Sequence, residues 1–106
     1  MIARPRRNRR VVWTDRALRD LIRIDDYIAA DDPKAAERWV DKLIAAAERA
    51  ARVPTSGRVV KERKQPDLRE VLVRTYRIIY RVRDERIEIV TVFEGHMLFP
   101  EDVEPK

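Results

Sequence analysis

Seven side chains between positions 69 and 96 have the types and spacing to do chemistry: Arg69, Glu70, Arg74, Arg77, Arg81, Glu94 and His96. Guanidinium groups bind anions, phosphate above all, through a fixed fork of donors. His96 is the one histidine of the chain, and imidazole is the side chain best suited to proton transfer near neutral pH. Glu70 adds a carboxylate that can act as acid or base. The set therefore fits anion binding with proton transfer beside it. Each member also has a structural reading. Arg77 can pair with Glu94 or the chain terminus, Glu70 with Arg74, and His96 can serve as a surface hydrogen-bonding residue. The chain has no cysteine, which excludes disulfides, thiolate metal sites and a cysteine nucleophile. No metal or cofactor is expected.

These residues sit on a stretch that reads as an antiparallel β-meander. From Leu68 to Pro100 there are three short runs rich in Val, Ile, Tyr and Thr, separated by charged or turn-forming residues. The strands are predicted at Arg69–Arg74, Tyr76–Arg83 and Arg86–Phe93. A two-residue turn at Asp84-Glu85 fixes the register of the last pair. Val82 then faces Ile87, Tyr80 faces Ile89, Ile78 faces Thr91 and Tyr76 faces Phe93. Strict alternation puts all eight on one face, the face that receives the helices. Arg77 lies on the other face opposite Val92, where a phosphate could approach. Arg81 lies opposite Glu88, a cross-strand ion pair.

Upstream, Val11, Val12 and Trp13 form a short apolar run, read as a strand. Thr14 is suited to cap a helix, with Asp15 in its first turn. Ala17, Leu18, Leu21, Ile22, Ile24 and Ile28 recur at helical spacing, while Arg16, Arg19, Asp20, Arg23 and Asp26 form the polar face. This helix is predicted over Asp15–Ala30. Asp32-Pro33 restarts a helix, predicted over Pro33–Arg52, with Trp39, Val40, Leu43, Ile44 and Ala47 on its apolar side. So short a connection makes an antiparallel helical hairpin. Val53-Pro54 ends it, Thr55-Ser56-Gly57 turns, and Arg58–Glu62 is a further strand candidate. Arg63 to Asp67 reads as a solvated polar loop. The fold class is α+β: a strand, a helical hairpin packed on a small antiparallel sheet, and element order β-α-α-β-β-β-β.

At 106 residues, the chain is one domain with a single modest core. No apolar run is long enough to span a membrane, and no secretory signal is visible. A cytoplasmic location is expected. The net charge of +5 is not spread evenly: Arg4, Arg6, Arg7, Arg9 and Arg10 are the only charged residues of the first ten, and the remainder balances. The expected organisation is a basic, disordered tail over residues 1–10 and one domain over 11–106.

Three segments give the chain a resemblance to the RelE/ParE toxin superfamily. Pro54-x-Ser56-Gly57-Arg58 is similar to the family's turn after the second helix. Arg69-Glu70-Val71-Leu72-Val73 followed by Tyr76-Arg77-Ile78-Ile79-Tyr80-Arg81-Val82 is similar to its central hairpin. Phe93-Glu94-Gly95-His96-x-Leu98-x-Pro100 resembles the end of its last strand. The match runs over residues 11–100. It implies a toxin of a type II toxin–antitoxin module, neutralised by a cognate antitoxin. The partners it implies are that antitoxin and either DNA gyrase or a ribosome carrying mRNA.

The two branches of that superfamily differ in chemistry. Metal-free RNA cleavage needs a base, an acid and cations for the developing phosphorane charge. By resemblance to RelE-like nucleases, Arg77 would be the central arginine and His96 the C-terminal histidine, with Glu70 or Arg69 supplying the rest. Several positions depart from that pattern. Glu70, Leu72 and Arg74 stand where such nucleases carry a lysine pair, Met97 follows His96, and no tyrosine follows Tyr80. The resemblance therefore favours the ParE-like branch, a non-catalytic toxin acting on DNA gyrase. Arg69, Arg74, Arg77 and Arg81 are then candidates for target or antitoxin binding. A RelE-like ribosome-dependent mRNA endonuclease and a non-toxic interaction module of the same fold are the alternatives.

Overall fold

A computed structural model describes residues 9–103. Of the tail expected over residues 1–10, residues 1–8 lie outside the described residues, whereas Arg9 bonds the Ala51 and Arg83 carbonyls and Arg10 opens the first strand. Strand β1 spans Arg10–Trp13, helix α1 Asp15–Ala29, helix α2 Pro33–Arg52, β2 Arg58–Val59, β3 Leu68–Val73, β4 Tyr76–Val82 and β5 Arg86–Glu94. Both predicted caps are present: Thr14 Oγ1 accepts from the Ala17 amide and Asp32 Oδ1 from the Ala35 amide, each at 3.1 Å. Pro54 opens a single 3-10 turn after α2. The strands form one sheet in the order β1-β5-β4-β3-β2. The meander is antiparallel as expected, and β1 joins β5 in parallel, Val11 opposite Ile87 and Trp13 opposite Ile89. That addition makes the sheet mixed.

The helical hairpin lies on one face. Ala17 of α1 and Leu43, Ala46, Ala47 and Ala50 of α2 bury against Ile78, Tyr80, Ile87 and Ile89. The small alanines let α2 approach the strands closely, and Trp39 meets the Tyr76 ring edge-on at 5.6 Å. The apolar set of α1 is wider than the stripe the core accepts: Leu18 and Ile22 remain 43% and 59% exposed. A second, smaller core fills the opposite face, where Val60, Leu68 and Ile79 pack with Val90, Phe93 and Phe99. The segment after β5 crosses this face. Val103 is buried, and Arg63 donates to the Pro100 and Val103 carbonyls. Arg63 also stacks on Phe99 at 4.8 Å, so it is not the solvated loop residue its sequence neighbourhood suggests.

The predicted β4–β5 register holds from the turn as far as Tyr80 opposite Ile89 and then slips. A bulge inserts Val90, so Ile78 faces Val92 rather than Thr91, Tyr76 faces Glu94, and Arg77 faces Phe93. Val92 consequently joins the helix-side core, and Phe93 turns to the far face. A bulge leaves part of the ladder unpaired. Asp20 fills that gap, accepting from the Val92 amide at 3.1 Å and the Thr91 hydroxyl at 2.5 Å. Asp20 is therefore buried, not on the solvent face of α1 as periodicity suggests, with Arg16 and Arg23 flanking it at 3.9 and 3.6 Å. Replacing Asp20 with alanine leaves two buried donors unpaired and is expected to cost about 1–3 kcal/mol. Urea denaturation measures this. An Asp20→Asn variant, which keeps an acceptor, should lose clearly less.

Candidate functional site

Most of the candidate residues converge below the β3–β4 turn, on the face away from the helices. Tyr76 and Ile78 point into the helix-side core, which sends Arg77 to the opposite face. It is not open there: only 6% of Arg77 is exposed. Its Nε donates to Glu70 Oε1 at 2.6 Å, and Nη1 and Nη2 donate to the two oxygens of Glu62 at 3.0 and 2.9 Å. The guanidinium also lies 5.2 Å from the Phe93 ring and 5.6 Å from Phe99. Glu70 is 2% exposed, and its second oxygen accepts from Arg58 Nε at 2.6 Å. The result is a continuous chain of charge, Arg58–Glu70–Arg77–Glu62.

Burial of two charges, Glu70 and Arg77, is tolerated because each is paired and hydrogen-bonded, with Arg58 and Glu62 reaching them from nearer the surface. The Arg77 guanidinium beside Glu62 holds that carboxyl below the usual carboxylate range. In return, its hydrogen bonds to Glu62 and then Glu70 hold Arg77 more firmly protonated, against the desolvation of burial. Glu70 bonds Arg58 and Arg77 rather than Arg74, and Arg77 takes Glu62 and Glu70 rather than Glu94. Glu62 and Arg58 belong to this cluster although neither stood out in the sequence. Glu62 follows the short β2, and only the return of the chain over the far face brings it to Arg77.

The other arginines divide into two kinds. Arg69 and Arg81 strap the segment between α2 and β3 onto the sheet. Arg69 donates to the Pro66 carbonyl at 3.0 Å and the Gly57 carbonyl at 2.9 Å. Arg81 donates to Gln65 and Asp67 at 3.2 and 3.3 Å. The backbone register does set Arg81 opposite Glu88, but the Glu88 carboxylate pairs with Arg83 and Arg86. Arg74 stands apart, in the β3–β4 turn with φ +55°. His96 is exposed just beyond β5, with Nδ1 3.4 Å from Glu94 Oε2.

Arg74, Arg77 and His96 come together as the lining of one open groove of about 300 Å3, with Arg58, Lys61, Leu72, Thr75 and Gly95. Glu70, Arg69 and Arg81 do not line it. The groove can bind an anion. Its candidates for general acid–base chemistry are His96 and Lys61, because both oxygens of Glu70 are taken and buried. No group of three or more potential metal ligands occurs among the described residues. No helix among them is long and apolar enough to cross a membrane. A second, larger groove of about 440 Å3 runs between α1 and the segment after β5, walled in part by Tyr27, Met97 and Leu98.

Residues 11–99 match the family described as "ParE toxin of type II toxin-antitoxin system, parDE". The chain is 38% identical over 95 residues to "Putative toxin Y4kP" of Sinorhizobium fredii, covering 88% of this chain and 95% of that protein. It is 43% identical over 83 residues to "Toxin RelE2" of Caulobacter vibrioides, covering 77% and 90%. The solved structure titled "Chromosomal ParDE TA system from P. aeruginosa" superposes with a TM-score of 0.67 at 21% identity, over 81% of this chain and 95% of that one. At that identity the superposition speaks to the fold.

Proposed function

The chain belongs to the ParE toxin family of type II toxin–antitoxin systems, and from that premise we propose that it arrests growth by binding DNA gyrase rather than by cutting RNA. A cognate antitoxin neutralises it by direct contact, and both partners place its action in the cytoplasm. The observation that carries this reading is the occupied Arg77–Glu70 pair. A metal-free nuclease needs a base, an acid and free cations around one phosphate. Here Glu70 is enclosed between two arginines, and Arg77 spends all three of its nitrogens on carboxylates. A binding toxin needs neither group free.

Purified protein added to gyrase, plasmid DNA and ATP is expected to accumulate cleaved DNA–gyrase complexes, and unopposed expression to halt replication before translation. The groove that carries His96 favours one second reading, RelE-like cleavage of mRNA on the ribosome. Early arrest of translation, with cut ribosome-bound mRNA and no trapped gyrase, would replace the first reading by the second. Growth unchanged by unopposed expression would remove both.

A further inference from the structure

The groove beside the β3–β4 turn owes its form to two backbone features. A Cβ at Gly95 would lie 2.9 Å from the Thr75 carbonyl. Glycine there lets the end of β5 close on the turn, where its amide donates to that same carbonyl at 2.5 Å. Arg74 occupies the left-handed region, which a non-glycine residue adopts at a cost. Its side chain contributes to the groove's lining. The lining then carries three guanidinium groups, one ammonium group and the His96 imidazole, with no carboxylate among them.

Glu62 and Glu70, neither of them in the lining, neutralise Arg77, and Glu70 also holds Arg58. Lys61 and Arg74 have no hydrogen-bond or ion-pair partner among the described residues. Lys61 acts on Glu62 only through its charge, so two cations with no carboxylate in contact line a groove whose lining carries no acid, and that suits an anionic occupant. Leu72, half exposed on its wall, adds an apolar contact. A single nucleic-acid strand would hold mainly by stacking bases on successive aromatic side chains, and the lining offers one aromatic ring, His96. β2, at its side, is the outermost strand of the sheet, with Val59 exposed. Such an edge can hold extended backbone.

We propose that this groove docks an extended acidic segment of the antitoxin, its carboxylates on Lys61 and Arg74 and an apolar side chain on Leu72. The proposal rests on the toxin–antitoxin reading but is independent of the cellular target. Its test is the charge-reversed variant Lys61→Glu/Arg74→Glu, whose changed side chains make no bond within the fold. Calorimetric titration with the antitoxin encoded beside the toxin gene should show affinity reduced about tenfold or more and a flatter dependence on salt. Thermal unfolding of the variant should match the wild type. An unchanged affinity sinks this proposal alone. If a short oligouridine binds the wild type and not the variant while antitoxin affinity is unchanged, the groove belongs to nucleic acid. A wild-type chain that does not bind the antitoxin at all overturns both this proposal and the neutralisation reading.

Discussion

Replacing Arg77 with alanine is expected to lower the unfolding free energy by about 3–5 kcal/mol, because removing one partner of a buried pair strands the other charge. The stranded group is Glu70, which is 2% exposed and would keep only Arg58. Glu62 loses both of its guanidinium bonds as well, but it sits nearer the surface and can take water instead. A domain of this size is commonly stable by only about 5–15 kcal/mol, so the variant should unfold at markedly lower urea. The complementary experiment changes both partners. Arg77→Met with Glu70→Leu replaces the pair by apolar groups between Phe93 and the β3 backbone. Such replacements are often neutral or stabilising, so the double variant should recover most of the loss. If the single variant were as stable as the wild type, the cluster would be a surface feature and not a buried one. This also constrains functional work: loss of toxicity in Arg77→Ala reports unfolding unless the double variant is measured beside it.

The second large effect is expected at Gly57. Its backbone is in the ordinary extended region, so space, and not conformation, demands glycine. A Cβ there would overlap the Tyr80 hydroxyl and lie 2.7 Å from the Glu70 carbonyl. Tyr80 is fully buried, its hydroxyl donating to the Pro54 carbonyl at 2.6 Å and accepting from the Gly57 amide at 3.2 Å. Gly57→Ala therefore overpacks the site, for about 1–3 kcal/mol, and displaces a buried hydroxyl whose lost bonds cost about 1–3 kcal/mol more. Tyr80→Phe alone should incur only the second cost. Because the two changes share one atom, their effects should fall short of additive in the double variant. Full additivity would mean that the Glu70 carbonyl, and not the tyrosine, is what excludes a side chain at position 57.

Local rules reach far into this fold. Thr14 and Asp32 announce their helices, and the bounds of α2 at Pro33 and Arg52 are those the sequence implies, because capping and proline geometry are decided within a few residues. The β4–β5 turn at Asp84-Glu85 is legible for the same reason. What lies beyond it is not. No glycine or proline marks the bulge at Val90, so alternation counted across it misplaces Thr91, Val92 and Phe93. The buried Asp20 then escapes notice, since its reason for burial is an amide in another element. The site shows the same limit. Arg77 was recognisable, but its enclosure depends on Glu62 and Glu70, carried by separate segments that meet only in the folded chain.

The parallel pairing of β1 with β5 also orders events in time. The strand that is translated first has its place beside the strand that is translated last, since Arg10 lies opposite Arg86. Until β5 has left the ribosome, β1 has no neighbour and the helical hairpin has only part of its floor. Pairings so distant in sequence form late and slowly, and synthesis itself runs at about 5–20 residues per second. The nascent chain thus stays without its finished sheet, and so without its folded surfaces, until β5 has been made. A partner that recognises the folded sheet therefore finds it only once β5 is in place.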